Sequence, residues 1–309
     1  MRSRKVLFTL IIVLAVVAIA AAVTYTVIRR PARAVYLLPD GNVMAYVNFT
    51  PFHFMNMDTR PITSDPEYQE FLAETGFDVQ HDVDNVAVSA NAAGGATPDV
   101  SAVVTGTFNQ ERISSYIKKQ SEVQTESYGG KTIYLAPAKD QTLRFCLLDN
   151  KMAAVTFGPS ADSMHGIIDK FTGSGSMPRL LKDHYDDVPF ASVAWTIIRV
   201  PEFAVPPPGP GGMDLSILKN SVTIVSARYT GSVRLRAEFI TEDPANATKV
   251  FTALNSAVAM GKVEAMAASA QDKDLAEVMN NLELKQSGNR VILSVVVPQD
   301  VIKKASQKR

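Results

Sequence analysis

The sequence predicts an α+β protein in which an N-terminal transmembrane helix precedes two similar halves, each an antiparallel sheet covered on one face by helices. Three observations lead there. Residues 6–28 are one uncharged apolar run. The rest alternates short β-rich runs with capped helical stretches. The order of those runs after residue 177 repeats the order before it. The expected units are therefore residues 1–33, 34–176 and 177–309.

Val6 to Ile28 is 23 residues without a charge, broken only by Thr9, Thr24, Thr26 and Tyr25. As a helix it reaches about 34 Å, enough to span a hydrocarbon core of about 30 Å. The apolar core of a signal peptide is shorter, about 7–15 residues, so length favours a retained anchor. The small residues of Ala18-Ile-Ala20 keep cleavage after Ala20 as the alternative. Arg2, Arg4, Lys5 and the terminal amine precede the run; Arg29, Arg30 and Arg33 follow it. That balance puts the N-terminus inside and residues 31–309 on the periplasmic or extracytoplasmic side of an inner membrane, crossed once.

In the first half, "VMAYVNFTPF" (Val43 to Phe52) is rich in β-formers. "SDPEYQEFLAETG" is helical, with capping-box spacing at Ser64 and Glu67, Pro66 in the first turn and Gly76 to end it. "DNVAVSAN" and "DVSAVVTGTF" are strands joined by the loop "AAGGATP". "NQERISSYIKKQ" is a helix capped by Asn109, with Ile113, Tyr116 and Ile117 on one face. "KTIYLAP", "TLRFCLLDN" and "KMAAVTFG" are strands, the last two turning at Asp149-Asn150. "PSADSMHGIIDKF" is a helix capped by Ser160, and "TGSGSMP" is a flexible linker.

The second half follows the same order. "FASVAWTIIRV" stands where "VMAYVNFT" stood. After the proline-rich loop "VPPPGPGGM" and a short helix in "MDLSILKN", "NSVTIVSARYT" and "GSVRLRAEFI" echo the earlier strand pair. Val233, Leu235, Ala237 and Phe239 lie on one face of the last run. Arg234, Arg236 and Glu238 lie on the other, which is therefore wet or covers something polar. "DPANATKVFTALNSAVAM" is a helix capped by Asp243, and "DKDLAEVMNNL" is another. "LELKQSGNRVILSVVV" is a hairpin turning at Ser287-Gly288-Asn289, and "PQDVIKKAS" closes as a short helix.

Charge excludes one function class. The formal net charge is zero, but residues 1–33 hold six bases and no acid, leaving 25 bases against 31 acids in the rest. A body with net charge −6 lacks the concentrated cationic charge that nucleic acid requires. The single cysteine, Cys146, permits no intramolecular disulfide and reads as a small buried hydrophobe.

Motifs of known chemistry do not assemble. The four histidines, His53, His81, His165 and His184, have no HExxH or HxH spacing. "HDVDN" and "DHYDD" read as polar turns, too poor in oxygens for calcium. Ser115-Tyr-Ile-Lys118 and Ser216-Ile-Leu-Lys219 match SxxK, but the supporting motifs are missing and both read as helix surface. Asn48-Phe-Thr50 and Asn246-Ala-Thr248 match the glycosylation acceptor by chance. No GxSxG, Walker loop or GxGxxG is present, and no cofactor or metal is expected. "FTPFHFMNM" is unusually apolar after a strand; with Trp195, it reads first as core. Its alternative is a hydrophobic binding lip, carried by Phe52, Phe54 and Met55 within the cluster Phe49, Phe52, Phe54, Met55 and Met57.

The phrases "FLAETGFDVQHDVDNVAVSA", "VVTGTFNQERISSYI" and "YGGKTIYL" resemble uncharacterised bacterial envelope proteins, catalogued as domains of unknown function, over roughly residues 35–305. The resemblance implies an envelope location, an N-terminal anchor and a duplicated α+β body; it carries no active site. The expected function is a non-enzymatic binding or interaction module. It is held in the bilayer by its helix and takes an envelope protein or a hydrophobic ligand between sheet and helices. The alternative is an envelope hydrolase whose site, with His81, Asp82, Asp84 or His184, assembles only in three dimensions.

Overall fold

The computed structural model describes residues 31–52, 65–91, 99–120, 122–138, 141–200, 218–268, 273–301 and 304. Contacts divide the chain into Met1–Arg33 and Ala34–Arg309. The span read at residues 6–28 lies outside the described residues, as do the loops "AAGGATP" and "VPPPGPGGM" and most of "MDLSILKN". Among the described residues no helix is long and apolar enough to cross a membrane.

Helix α1 (Arg33–Leu37) leads into β1 (Val43–Asn48) and a 3-10 turn at Thr50–Phe52. Then come α2 (Pro66–Thr75), α3 (Val79–Asp82), β2 (Val83–Asn91), β3 (Asp99–Gly106) and α4 (Gln110–Lys119). Four strands follow: β4 (Gln124–Tyr128), β5 (Lys131–Ala138), β6 (Gln141–Leu147) and β7 (Met152–Gly158). Helices α5 (Asp162–Thr172) and α6 (Arg179–His184) and a 3-10 turn at Tyr185–Asp187 precede β8 (Ala194–Arg199), β9 (Val222–Tyr229) and β10 (Val233–Ile240). The chain finishes with α7 (Pro244–Ala268), α8 (Lys273–Asn280), β11 (Glu283–Ser287) and β12 (Arg290–Val297).

Among the described residues all twelve strands join one antiparallel sheet, in the order β11-β12-β10-β9-β8-β1-β2-β3-β7-β6-β5-β4. Its middle is the β1–β8 pair, where Tyr46 lies opposite Trp195. Outward from that pair the two sides match: β1-β2-β3 then β7-β6 on one, β8-β9-β10 then β12-β11 on the other. The β5–β4 hairpin extends the first side.

The register shows which side chains share a face. Met44, Ser89, Ser101, Thr156 and Arg144 are successive partners from β1 to β6. Ile197, Ile224 and Glu238 continue that row from β8 to β10. This face carries α5, whose Met164, Ile167 and Ile168 are fully buried. Lys170 of α5 donates to the Leu38 carbonyl just beyond α1, at 2.6 Å. The opposite face carries α4, against Val104, Phe145 and Leu147, and α7, against Phe239, Leu284 and Val291. Helices thus cover both faces rather than the single face expected. A strand buried on both sides reads like one half-exposed when its second face carries valines and alanines in moderate contact.

Local chemistry explains the boundaries. Helix α2 starts at Asp65, whose Oδ1 accepts the N–H groups of Glu67 at 2.8 Å and Tyr68 at 3.3 Å. The cap is therefore one residue beyond Ser64, which lies outside the described residues. Gly76 ends the helix at φ 70°, a left-handed conformation that glycine adopts without a Cβ penalty. Asn109 caps α4 through the Arg112 N–H at 3.1 Å, and Asp243 caps α7 through the Asn246 N–H at 2.7 Å. Ser160 accepts from Asp162 N–H at 3.0 Å, at the start of α5.

Elements not expected include α1, α3, β4 and α6. Strand β4, "QTESY", is a polar edge whose side chains bind α5. The Tyr128 hydroxyl donates to Asp169 at 3.1 Å, Tyr128 stacks on His165 with centroids 3.8 Å apart, and His165 Nε2 lies 2.8 Å from Glu126 Oε1. Helix α6 lies between the linker ending at Pro178 and the expected polar turn from Asp183, whose first two residues it includes; it buries Leu180 and Leu181.

The charged row of β10 is graded: Arg234 is exposed, Arg236 is half-buried and Glu238 is buried. Glu238 is 3% exposed. It accepts from Arg236 Nη2 at 2.7 Å and Arg290 Nη1 at 2.8 Å, and Arg290 also donates to Asp187 at 2.7 Å. The row is thus wet at Arg234 and polar-paired at Glu238, so each of the two sequence readings describes part of it.

Candidate functional site

The site lies on the α4 face of the first half and is built from rings. Ile113 and Ile117 of α4 point to the sheet because Asn109 fixes where the helix begins. Gly76 reverses the chain after α2, bringing Phe77 beside Phe71, with centroids 6.1 Å apart and planes at 77°. Phe77 stacks on Phe108 at 5.1 Å, and Phe71 meets Tyr116 edge-on at 5.3 Å. Each arrangement is a favourable aromatic pair. Rigid rings from three segments meet a flat sheet and do not fill the space beneath them.

Two cavities result, of about 340 and 310 Å³. Each falls in the range of small-molecule sites, about 300–1,000 Å³. They share Phe77, Phe108, Phe145 and Val155. The first extends along Ile113, Ile117 and Ala136 to Leu143, which is 38% exposed and marks its mouth. No charged side chain lines either cavity, and the wall of the first is almost wholly apolar although Gln120 and Tyr134 are among its residues. The second reaches Phe49, Val79 and Val86.

Beside the first cavity is a smaller polar recess of about 220 Å³, lined by Gln110, Ser114, Thr132 and Tyr134, with Gly130, Lys131 and Leu147. Tyr134 lines both spaces. Outside the cavities, α2 and α4 are linked by the exposed Lys119–Glu74 pair at 2.6 Å and by Arg112 donating to the Ala73 carbonyl at 3.4 Å. Contacts of that kind add little stability, so the rings carry the packing.

The residues singled out from sequence are distributed as follows. Phe54 and Met55 lie outside the described residues. Phe52 closes the turn Thr50–Phe52, and its side chain is outside them too. Phe49, the first member of the same apolar cluster, lines the second cavity. Trp195 is buried on the α5 face, stacked on Tyr46 with centroids 5.9 Å apart.

The hydrolase candidates do not converge. His81 is largely exposed and held by Asp78 at 2.7 Å; Asp82 accepts the Asp78 N–H; Asp84 is exposed. His184, the last residue of α6, lies 3.4 Å from Asp187. None of them lines either cavity or the recess. Among the described residues no three His, Cys, Asp or Glu side chains gather as a metal site. Ser115 and Lys118 are exposed on α4. Cys146 is buried, and burial pushes its thiol up to about 11, against a smaller opposing effect of the Lys131 charge. It stays a protonated, unreactive thiol.

Sequence reasoning missed the cavities because their lining comes from residues 49 to 155, and no short motif spans that distance. The available signal was the density of rings around one amphipathic helix: Phe71, Phe77, Phe108 and Tyr116.

No family model matches the chain, and no curated protein does. Solved structures with a similar outline include TP0453 in its crystal form IV, at 10% identity and a TM-score of 0.46, covering 88% of this chain and 96% of that one. Crystal form I of TP0453 gives 10% identity and a TM-score of 0.47, covering 90% and 98%. A likeness at that level concerns general outline and says nothing of activity.

Proposed function

We propose that this protein is a membrane-anchored, extracytoplasmic binding module of a bacterial envelope that holds a hydrophobic molecule between its sheet and helices α2 and α4. The observation that carries the reading is the pair of uncharged cavities sharing Phe77, Phe108, Phe145 and Val155. Water in such a space finds almost no hydrogen-bond partner, so an apolar chain gains by replacing it. The uncharged run at residues 6–28 and its flanking bases support the single-pass anchor and the outward body. The matching strand order on either side of the β1–β8 pair supports an origin by duplication.

Photolabelling of the full chain in native membranes with a diazirine-bearing alkane tests the binding. Adducts on peptides containing Phe77, Phe108 or Val155 are expected; label confined to residues 6–28 would contradict the reading. For topology, protease added to intact spheroplasts should digest the body. A body digested only after lysis would reverse its orientation.

A further inference from the structure

We infer that the ligand of this site is a single-chain amphiphile with an uncharged, hydrogen-bonding head, seated with its chain in the larger cavity and its head in the adjoining polar recess. The inference rests on the apolar-site reading above and adds the ligand's class. Three observations carry it.

The first is adjacency. Tyr134 lines the 340 Å³ cavity and the 220 Å³ recess alike, so a molecule crossing from one to the other passes its ring. The second is the hydroxyl of that residue. Tyr134 is 6% exposed as a residue; its hydroxyl makes no hydrogen bond among the described residues and is not sealed from solvent, so it opens on the polar recess. A phenol open on one side ordinarily bonds to water or to a polar atom of a ligand. Its place between an apolar and a polar space is where the first oxygen of an amphiphile's head would sit. The third is the charge of the recess. Gln110, Ser114, Thr132 and Tyr134 offer amide and hydroxyl groups, which donate and accept without carrying charge. Lys131 also lines the recess, but its ammonium lies on the opposite side of the sheet. There it donates to the Leu148 carbonyl at 2.6 Å and sits 5.2 Å from the Phe171 ring centre. A carboxylate or phosphate head would find no cation there to pair with. A glycerol-type head needs none.

Selection follows from this arrangement. Removing a hydrogen-bonding group from a site built around one costs more than trimming apolar chain. The chain supplies affinity and the recess supplies choice.

The test uses native mass spectrometry of the full chain in detergent micelles, with three probes: 1-monooleoylglycerol, oleate and octadecane. The wild type should hold more monooleoylglycerol than oleate at equal concentration. Tyr134→Phe keeps the ring and the cavity but removes the hydroxyl. It should weaken monooleoylglycerol about five-fold and leave octadecane unchanged. Ser114→Ala, on the far wall of the recess, should act in the same direction and guards against a misfolded Tyr134 variant. Oleate bound as well as monooleoylglycerol, or octadecane lost in step with it in Tyr134→Phe, would overturn the inference while leaving the apolar site standing. No adduct with any of the three probes would overturn both.

Discussion

The two faces of the sheet invert the usual distribution of residues. The α5 face buries polar side chains: Ser89, Ser101, Thr156, Arg144, Ser226 and Glu238 are all covered. The α4 face is lined by valine, leucine, alanine and phenylalanine, yet Leu143, Val225 and Leu235 each stand about 40% exposed. A buried polar row and an exposed apolar one are the informative departures from ordinary packing. Arg144 and Glu238 on the α5 face are held by bonds that need a fixed geometry. Arg144 donates to the carbonyls of Gly158 at 2.9 Å and Pro159 at 3.3 Å, and Glu238 binds two guanidiniums. The α4 face is packed mainly by apolar contacts and can exchange one apolar neighbour for another. One face fixes the structure; the other is free to take a ligand.

Strand β10 shows the inversion within eight residues. Glu238 is buried, whereas Leu235, three positions earlier and on the other face, is exposed.

Four substitutions break or sharpen this comparison. Ile133 is fully buried on the α5 face, opposite Cys146. Ile133→Ala should lower unfolding free energy by about 4 kcal/mol, toward the upper end for that deletion, because the sheet cannot collapse into the gap. Glu238→Ala leaves Arg236 and Arg290 beside a void. The expected loss is about 3 kcal/mol, at the low end for a broken buried pair because those side chains are 34% and 38% exposed. Denaturant titration measures both, and a loss under about 1 kcal/mol for either would mean that the α5 face is not the rigid one.

The next effect depends on pH. The folded state keeps the Cys146 proton that the unfolded chain releases, so this contribution to stability is complete below the thiol's ordinary value of 9.0 and declines as pH rises toward about 11. Cys146→Ala should flatten that part of the stability profile; an unchanged alkaline slope would remove the assignment. The smallest effect belongs to the apolar face. Leu235→Ser should change stability by no more than about 0.5 kcal/mol. A larger loss would show that the exposed leucine is covered in solution.

The sequence made the strands legible because their apolar alternation is strong, as in Val100 to Val104. It made the caps at Asn109 and Asp243 legible because side-chain capping is local chemistry. Strand β4 was hidden because Gln124, Thr125, Glu126 and Ser127 show no apolar period; what holds them is pairing with β5 and the bonds of Tyr128 and Glu126 to α5. Which face each helix covers was hidden too, since crossover direction depends on distant partners. The cavity was out of reach for the same reason: Phe77, Phe108, Phe145 and Val155 are unremarkable residues until the register brings them together.

The most direct measurement is a native mass spectrum of the full chain taken from membranes, beside that of Val155→Phe. Val155 lines both cavities, and the larger ring fits inside them without crowding the fold. Equal denaturation midpoints would establish that the variant is folded; Ala136→Leu serves the same purpose if it is not. The account predicts a lipid-sized adduct on the wild type that is lost from the filled variant. A bare wild-type mass, or an adduct retained equally by the filled variant, would contradict it.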